Sequence, residues 1–396
     1  MPLADRVLKL TESETLKMAK MARELKEKGH DVISLSLGEP DFDTPKHIKK
    51  AAKDALNHGV TKYTPVSGSL ELRKAIVEKF KKENNLIFDP SQIVVSNGAK
   101  QSIYNLCMSI LNPDDECIIL APYWVSYAEI VKMADGIPVY VSAGIDQDFK
   151  PTASAIEKAI TPKTKMLLFS SPCNPTGSVF SKRELNAIAN VLAKYPDIYI
   201  VSDEIYEYIN FTGKHFSIGS IDKVRQQTIT VNGFSKGYSM TGWRIGYIGA
   251  PKEVAAACEK IQGQVTSGAS SFGQIAAAFA LTYSNRATDL MRKEFKKRRD
   301  LVIDLLSKIK GVKVNHPEGA FYVFPDISYY FGKSDGKNTI RNADDFCDYI
   351  MLNAYVGIVS GSAFGDNNCF RLSYAASESQ LKEAIDRISK ALEKLK

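Results

Sequence analysis

The 396-residue chain is poor in the features that build disulfide-stapled, zinc-clustered or membrane-spanning proteins. Its six cysteines (Cys107, Cys117, Cys173, Cys258, Cys347 and Cys369) are scattered, with no C-x-x-C pair and no local Cys/His cluster. That spacing argues against a zinc site or a disulfide framework and fits a reducing compartment, so no metal is expected. No apolar run reaches the length of a membrane span, and residues 1–10 carry no apolar signal core. The expectation is a cytoplasmic chain with no membrane partner. Glycine (25) and proline (16) make up only about a tenth of the residues, which excludes collagen-like and low-complexity readings. Internal repeats are absent. No G-x-G-x-x-G follows an early strand, which disfavours a dinucleotide-binding dehydrogenase.

What is present is an ordinary enzyme composition, 44% apolar, 10% aromatic and 24% charged. The length suits two or three folding units around a large core and a cleft. Net charge is +7, with basic runs at Lys49-Lys50, Lys81-Lys82 and Lys296-Lys297-Arg298-Arg299. Mixed with acids on helical segments, these read as solvated helix faces rather than as a nucleic-acid stripe. The basic excess favours anionic metabolites.

Residues 11–28 have helical periodicity, with Leu16, Ala19, Ala22 and Leu25 on one face and Gly29 as a stop. Strands are expected at 32–37, 93–96, 117–120, 138–141, 166–170, 198–202, 228–231 and 245–249. Helical periods at 69–84, 99–111, 123–133 and 182–194 alternate with them. This alternation predicts an α/β unit with a mostly parallel sheet flanked by helices. From about Glu253, two alanine-rich helices and a long charged helix at 286–309 lead into an α+β segment. That segment has strands at 321–324 and 370–374 and helices at 343–353 and 378–396, and 329–341 reads as a polar surface loop. The expected division is an N-terminal arm and helix (1–45) packing with the small unit, a large domain (46–290) and a small α+β domain (291–396).

Three segments carry chemistry. In Gly233-Phe-Ser-Lys-Gly-Tyr-Ser-Met-Thr-Gly-Trp-Arg-Ile-Gly246, Lys236 stands among small residues after an apolar strand, with Arg244 eight positions on. Small neighbours admit a bulky group to the amine, and Ser235 with Arg244 can hold a phosphate beside it. Asp203 ends a buried strand, where open α/β sheets place their ligands, although Asp there is also a common helix N-cap. Asn174 stands in SSPCNPTG at another strand end, stiffened by Pro172 and Pro175; an ordinary turn asparagine is the plainer reading. Asn, Asp, Tyr, Lys and Arg occurring in that order at strand ends argue for one site.

On these segments, with SDEIY (202–206), FRLSYA (370–375), GEPDFDTP (38–45) and KYTPVSG (62–68), the chain resembles fold-type I pyridoxal-phosphate (PLP) enzymes. It looks most like class I/II aminotransferases of the bacterial branch that holds aspartate and aspartate/prephenate aminotransferases. The resemblance implies a homodimer, with amino acids and 2-oxo acids as substrates in a ping-pong transamination. Aspartate with 2-oxoglutarate is expected first, then glutamate and prephenate. Lys236 is implied as the Schiff-base lysine that also moves the substrate's Cα proton, a pairing of roles that suits an amine. Asp203 would hold the pyridinium nitrogen protonated. Tyr206 and Asn174 would bond the phenolic oxygen, and Trp124 would stack on the ring, though a core tryptophan is the commoner fate. The phosphate would rest on Gly98 and Ala99 at a helix start, with Ser235, Arg244 and the neighbouring subunit's Tyr63.

For the substrate, the resemblance implies Arg371 as a bidentate clamp on the α-carboxylate, approached also by the backbone of Gly38. Animal-type aspartate aminotransferases read the second carboxylate with an arginine that has no clear counterpart here. Lys100 in NGAKQ, accompanied by Thr15, matches the lysine used in the resembled branch; an exposed first-turn residue is the competing reading. An aromatic or alanine aminotransferase, or a C–S lyase, shares the central residues and stays open. A regulator with a degenerate aminotransferase domain would need a DNA-binding domain, for which the match, beginning near residue 30, leaves no room.

Overall fold

The computed structural model describes residues 3–11 and 14–396. Its centre is a seven-stranded sheet in the order Ile93–Ser96, Gly246–Gly249, Thr228–Gly233, Tyr199–Asp203, Thr164–Ser170, Glu116–Ala121, Ile137–Ser142. Gly246–Gly249 runs antiparallel to both neighbours. The remaining pairs are parallel. Successive residues of a strand face opposite ways, so both faces must be apolar to be covered. Ile119, Leu168 and Val201 pack into one buried cluster with the helices Ala99–Ile110, Ser126–Met133 and Lys252–Val265. Ile118, Leu167 and Ile200 pack into another with Lys182–Leu192. A third cluster joins the helices Lys46–Asn57, Leu70–Lys79 and Ser271–Thr282.

Beyond the long helix Arg286–Ser307, a small antiparallel sheet has Phe370–Ser373 between Val359–Ser360 and Tyr322–Val323. The N-terminal chain joins this end: Ile33–Ser34 pairs in parallel with Val356–Gly357. Met18, Ala22 and Val32 pack on Met351. Among the described residues no helix is long and apolar enough to cross a membrane.

Several expectations need correcting. Helix 11–28 is observed as Glu14–Glu27; Glu12 and Ser13 lie outside the described residues. Leu16, expected on its buried face, is 63% exposed, and the buried positions are Met18 and Ala22. The run at 296–299 is not wholly a solvated face, because Arg298 and Arg299 are buried. Arg298 pairs with Asp41 and Glu294, while Arg299 bonds Asp300 and the Pro317 carbonyl. Within the expected surface loop 329–341, Tyr330 and Ile340 are buried and pin it to the core.

Candidate active site

The six parallel strands of the sheet end on one edge, and the antiparallel strand begins there, so the loops of that edge converge. They border an open cavity of about 270 Å³, lined also by Gly38 and by Arg371 of the small sheet.

Lys236 lies in the turn after Thr228–Gly233, with its Nζ 2.5 Å from the Gly38 carbonyl oxygen. Burial pulls its pKa down to about 8, against the opposing charge of Glu39 and with help from Arg371 and Arg244. An amine near that value is a competent nucleophile and base at neutral pH. The surrounding glycines act by close approach. Gly246 has the backbone of Gly98 and Ala99 where a Cβ would sit, which lets that helix start close on the lysine's strand. Gly98 takes φ +83° with the Arg244 guanidinium packed over it.

The helix Ala99–Ile110 has no side-chain N-cap, so its opening N–H groups are a ready anion cradle. Ala99, Ser235 and Arg244 line the cavity there. Gly98 stands just behind that lining. Tyr63 is 97% exposed and outside this chain's cavity.

Asp203 is buried at the end of its strand, and no helix follows it, so the N-cap reading fails. Its Oδ1 accepts the Ile205 N–H at 3.1 Å and its Oδ2 accepts the Tyr127 hydroxyl at 2.7 Å. Burial raises its pKa to about 6, with Tyr127 opposing the rise. Tyr206 is likewise buried, its hydroxyl 2.8 Å from that of Tyr322. Trp124 stands edge-on to Tyr127 in the cavity wall, only partly buried.

Arg371 is 2% exposed on the middle strand of the small sheet. Its Nη1 donates to Asn174 Oδ1 at 2.9 Å and its Nη2 to the Ser36 carbonyl at 2.5 Å. Both partners are neutral, and none of the ion pairs among the described residues includes it. Its buried Nε has no hydrogen-bond partner. A buried, unneutralised guanidinium calls for an anion. Its carbon lies 4.7 Å from the ring centre of Tyr322 and 4.8 Å from that of Phe364. Lys100 is an exposed first-turn residue and also a cavity residue, with Nζ 5.0 Å from the Trp124 ring centre. Burial, then Arg244, lowers its pKa. Thr15 and Leu16 line the same cavity, which explains the exposed leucine.

Sequence reasoning missed Tyr127, Tyr322 and Glu39. Tyr127 follows Trp124 by three residues at a helix start, a usable signal. Tyr322 lies in a short strand, and only tertiary structure brings it to Tyr206 and Gly38. Glu39, inside GEPDFDTP, hydrogen-bonds Thr241 at the cavity mouth.

Fold and site together define an α/β enzyme that can hold a carboxylate beside a reactive, partly desolvated amine. Residues 30–388 match the family model "Aminotransferase class I and II". The chain belongs to this family, whose members depend on PLP. It is 47% identical to the probable aspartate/prephenate aminotransferase of Rhizobium leguminosarum bv. phaseoli, over 98% of each chain. The crystal structure of the aspartate aminotransferase from Rhizobium meliloti matches with TM-score 0.97 and 42% identity over 100% of both chains. Aspartate aminotransferase from Thermus thermophilus with maleate matches with TM-score 0.93 and 41% identity, over 99% of this chain and 100% of that one.

Proposed function

We propose that the protein is an aspartate aminotransferase that passes the amino group to 2-oxoglutarate by a ping-pong mechanism, with glutamate and prephenate as further substrates. The observation that carries this reading is Arg371, a buried cation with no acidic partner among the described residues, lining one cavity with the depressed amine of Lys236. The names of the relatives support the choice of acidic substrates.

The residues present fit pyridoxal phosphate. A buried acid, a reactive amine and an uncapped helix start beside an arginine line the cavity, and the buried Ser170 Oγ there lacks a hydrogen-bond partner. Asp203 would hold the ring nitrogen, and Tyr206 and Asn174 the phenolic oxygen. Trp124 would cover the ring face. Gly98, Ala99, Ser235 and Arg244 would hold the phosphate, joined by Tyr63 of a second subunit in a homodimer. When bound, the cofactor supplies an electron sink for the pair left at the substrate's Cα.

The chain's own residues do the rest. Arg371 binds the α-carboxylate in a bidentate fork and fixes the Cα–H toward Lys236. Lys236 Nζ would take the substrate's Cα proton and carry it to the cofactor's C4′. Asp203 would pair in its ionised form with the ring nitrogen. Lys100 and Thr15 receive the second carboxylate. We further propose the division into an arm (1–45), a large domain (46–290) and a small domain (291–396), supported by the separate apolar clusters around the two sheets. The test is oxaloacetate formation from aspartate and 2-oxoglutarate by the PLP-loaded protein, with Lys236→Ala as control. Absence of oxaloacetate from the wild type, or a borohydride-reducible cofactor link in Lys236→Ala, overturns the reading.

A further inference from the structure

Behind the cavity wall lies a charged cluster that this chemistry does not use. In Asp203-Glu204-Ile205-Tyr206-Glu207, Asp203 and Tyr206 line the cavity, whereas Glu204 and Glu207 do not and are nevertheless buried. The turn is stiff: Glu204 N–H bonds the Val231 carbonyl at 2.9 Å, and Glu207 N–H bonds the Glu204 carbonyl at 2.9 Å. Any displacement of the glutamates is passed directly to their bonded neighbours.

The partners of these glutamates come from an irregular stretch. Helix Leu70–Lys79 widens into a π-helical turn, Phe80–Asn84, ending at Asn85 with φ +56°. Such widened turns recur at functional sites. Here the turn sets Lys79 and Asn84, five residues apart, side by side, with Nζ donating to Oδ1 at 2.7 Å. Asn84 Nδ2 donates to Glu207 Oε2 at 2.7 Å and reaches Glu204 Oε2 at 3.4 Å. Lys79 forms an ion pair with the other oxygen of Glu207. Glu204 also accepts from Ser217 at 2.5 Å, from Ser202 at 3.1 Å and from His215 Nε2 at 2.9 Å.

The buried Glu204 and Glu207, with the half-buried Glu83 at 3.9 Å from Lys79, outnumber the one lysine and leave negative charge for His215 to balance. Burial pushes its imidazole down, but Glu204 and then Glu207 more than offset this and its pKa is raised. The glutamate and histidine ligand atoms lie within 4.8 Å of one another, but the ammonium of Lys79 already sits on Glu207, which makes this an ion-pair frame rather than a metal site. Buried ion pairs are poor stabilisers compared with apolar packing, so their place under this one turn points to position rather than stability.

We infer that Lys79, Asn84 and His215 are positioning residues, which hold Glu204 and Glu207 from behind and so fix where Asp203 and Tyr206 meet the cofactor. This rests on the function proposed above. The test compares the PLP-loaded wild type with Lys79→Met and His215→Gln. Three quantities are measured: the midpoint pH of the cofactor's visible band, kcat and KM for aspartate, and the melting temperature. A ring nitrogen held less firmly by Asp203 leaves the Lys236 link more basic, so the midpoint rises by about one pH unit. Loss of alignment lowers kcat about tenfold, with KM changed by less than about twofold. Lys79→Arg, which keeps the cation, removes most of the shift and stays near the wild-type midpoint and kcat. If Lys79→Met does not fold, His215→Gln, at the edge of the frame, carries the same test. Variants that melt earlier but keep the wild-type midpoint and kcat overturn the inference and leave the frame purely structural. A wild type that neither takes up the cofactor nor transaminates overturns the underlying function, and the inference with it.

Discussion

The Tyr127 hydroxyl donates to Oδ2 of Asp203 at 2.7 Å, with both side chains buried in the cavity wall. A donor to a carboxylate favours its ionised form, and here it opposes the burial that lifts Asp203 to about 6. The tyrosine therefore favours the charged acid where, in the function proposed above, the cofactor's ring nitrogen would need an anion.

Tyr127→Phe removes that donor and lets the Asp203 pKa climb. A hydrogen bond to a charged group contributes about 1.5–3 kcal/mol, so kcat/KM should fall roughly ten- to a hundredfold. In the stripped protein the same change should raise the pH at which Asp203 ionises above the wild type's value of about 6. Steady-state kinetics of the loaded enzyme and the pH dependence of cofactor uptake by the stripped protein check the two; wild-type values of both would reduce Tyr127 to packing.

The cofactor-free protein offers a second check. Folded Asp203 titrates near 6, above its ordinary 3.8, so between those values the folded state binds more protons than the unfolded one. Its stabilising contribution is fully present below 3.8 and is lost as pH rises through about 6. Asp203→Asn should remove this decline, worth about 2–3 kcal/mol across the window. Urea unfolding of the stripped wild type and variant at pH 4, 5, 6 and 7 measures it.

What the sequence made legible follows from local physics. Lys236, Asp203, Asn174 and Arg371 stand in short segments whose glycines, prolines and strand ends carry meaning on their own, and all four line one cavity. Tyr322 and Glu39 act across long sequence separations, through contacts no local pattern encodes. Arg298 and Arg299 looked like surface charge because composition does not reveal that Asp41 and the Pro317 carbonyl come to meet them. Helix Lys46–Asn57 was missed although Ile48, Ala52 and Ala55 repeat at helical spacing, a signal that was available.

Glu39 lies near Lys236, lining one surface recess with it. Its charge raises the pKa of Lys236, which burial has brought to about 8. Glu39→Gln should move the lysine lower and leave more neutral amine at pH 7. The pH dependence of PLP uptake by the stripped protein, followed by absorbance, should shift its inflection downward. An unchanged inflection would confine Glu39 to its bond with Thr241.

Arg371→Lys tests the fork. Lysine keeps the charge but cannot make two parallel bonds to one carboxylate or keep the guanidinium's place against Tyr322 and Phe364. With about 1.5–3 kcal/mol of charge-assisted bonding lost, kcat/KM should drop roughly ten- to a hundredfold. The drop should be similar for aspartate, glutamate and alanine, since all share the α-carboxylate. A loss confined to dicarboxylic donors would reassign Arg371 to the far end of the substrate.

Lys100 is expected to give the opposite pattern. It lines the cavity with Thr15, and its ammonium lies 5.0 Å from the Trp124 ring centre. Burial and Arg244 lower its pKa, so a second anion there would relieve an unfavourable charge. A lysine is a point charge on a flexible stem, which suits second carboxylates at different distances, as in aspartate, glutamate and prephenate. Lys100→Ala should reduce kcat/KM for the donors aspartate and glutamate, and for prephenate as acceptor, by roughly ten- to a hundredfold, from the loss of one charge-assisted contact. Alanine, with no second carboxylate, should be nearly unaffected. Steady-state kinetics with aspartate, glutamate and alanine as donors and prephenate as acceptor separate the outcomes. An equal loss on all four would place Lys100 with the phosphate cradle, and no loss on any would assign the second carboxylate to another cation.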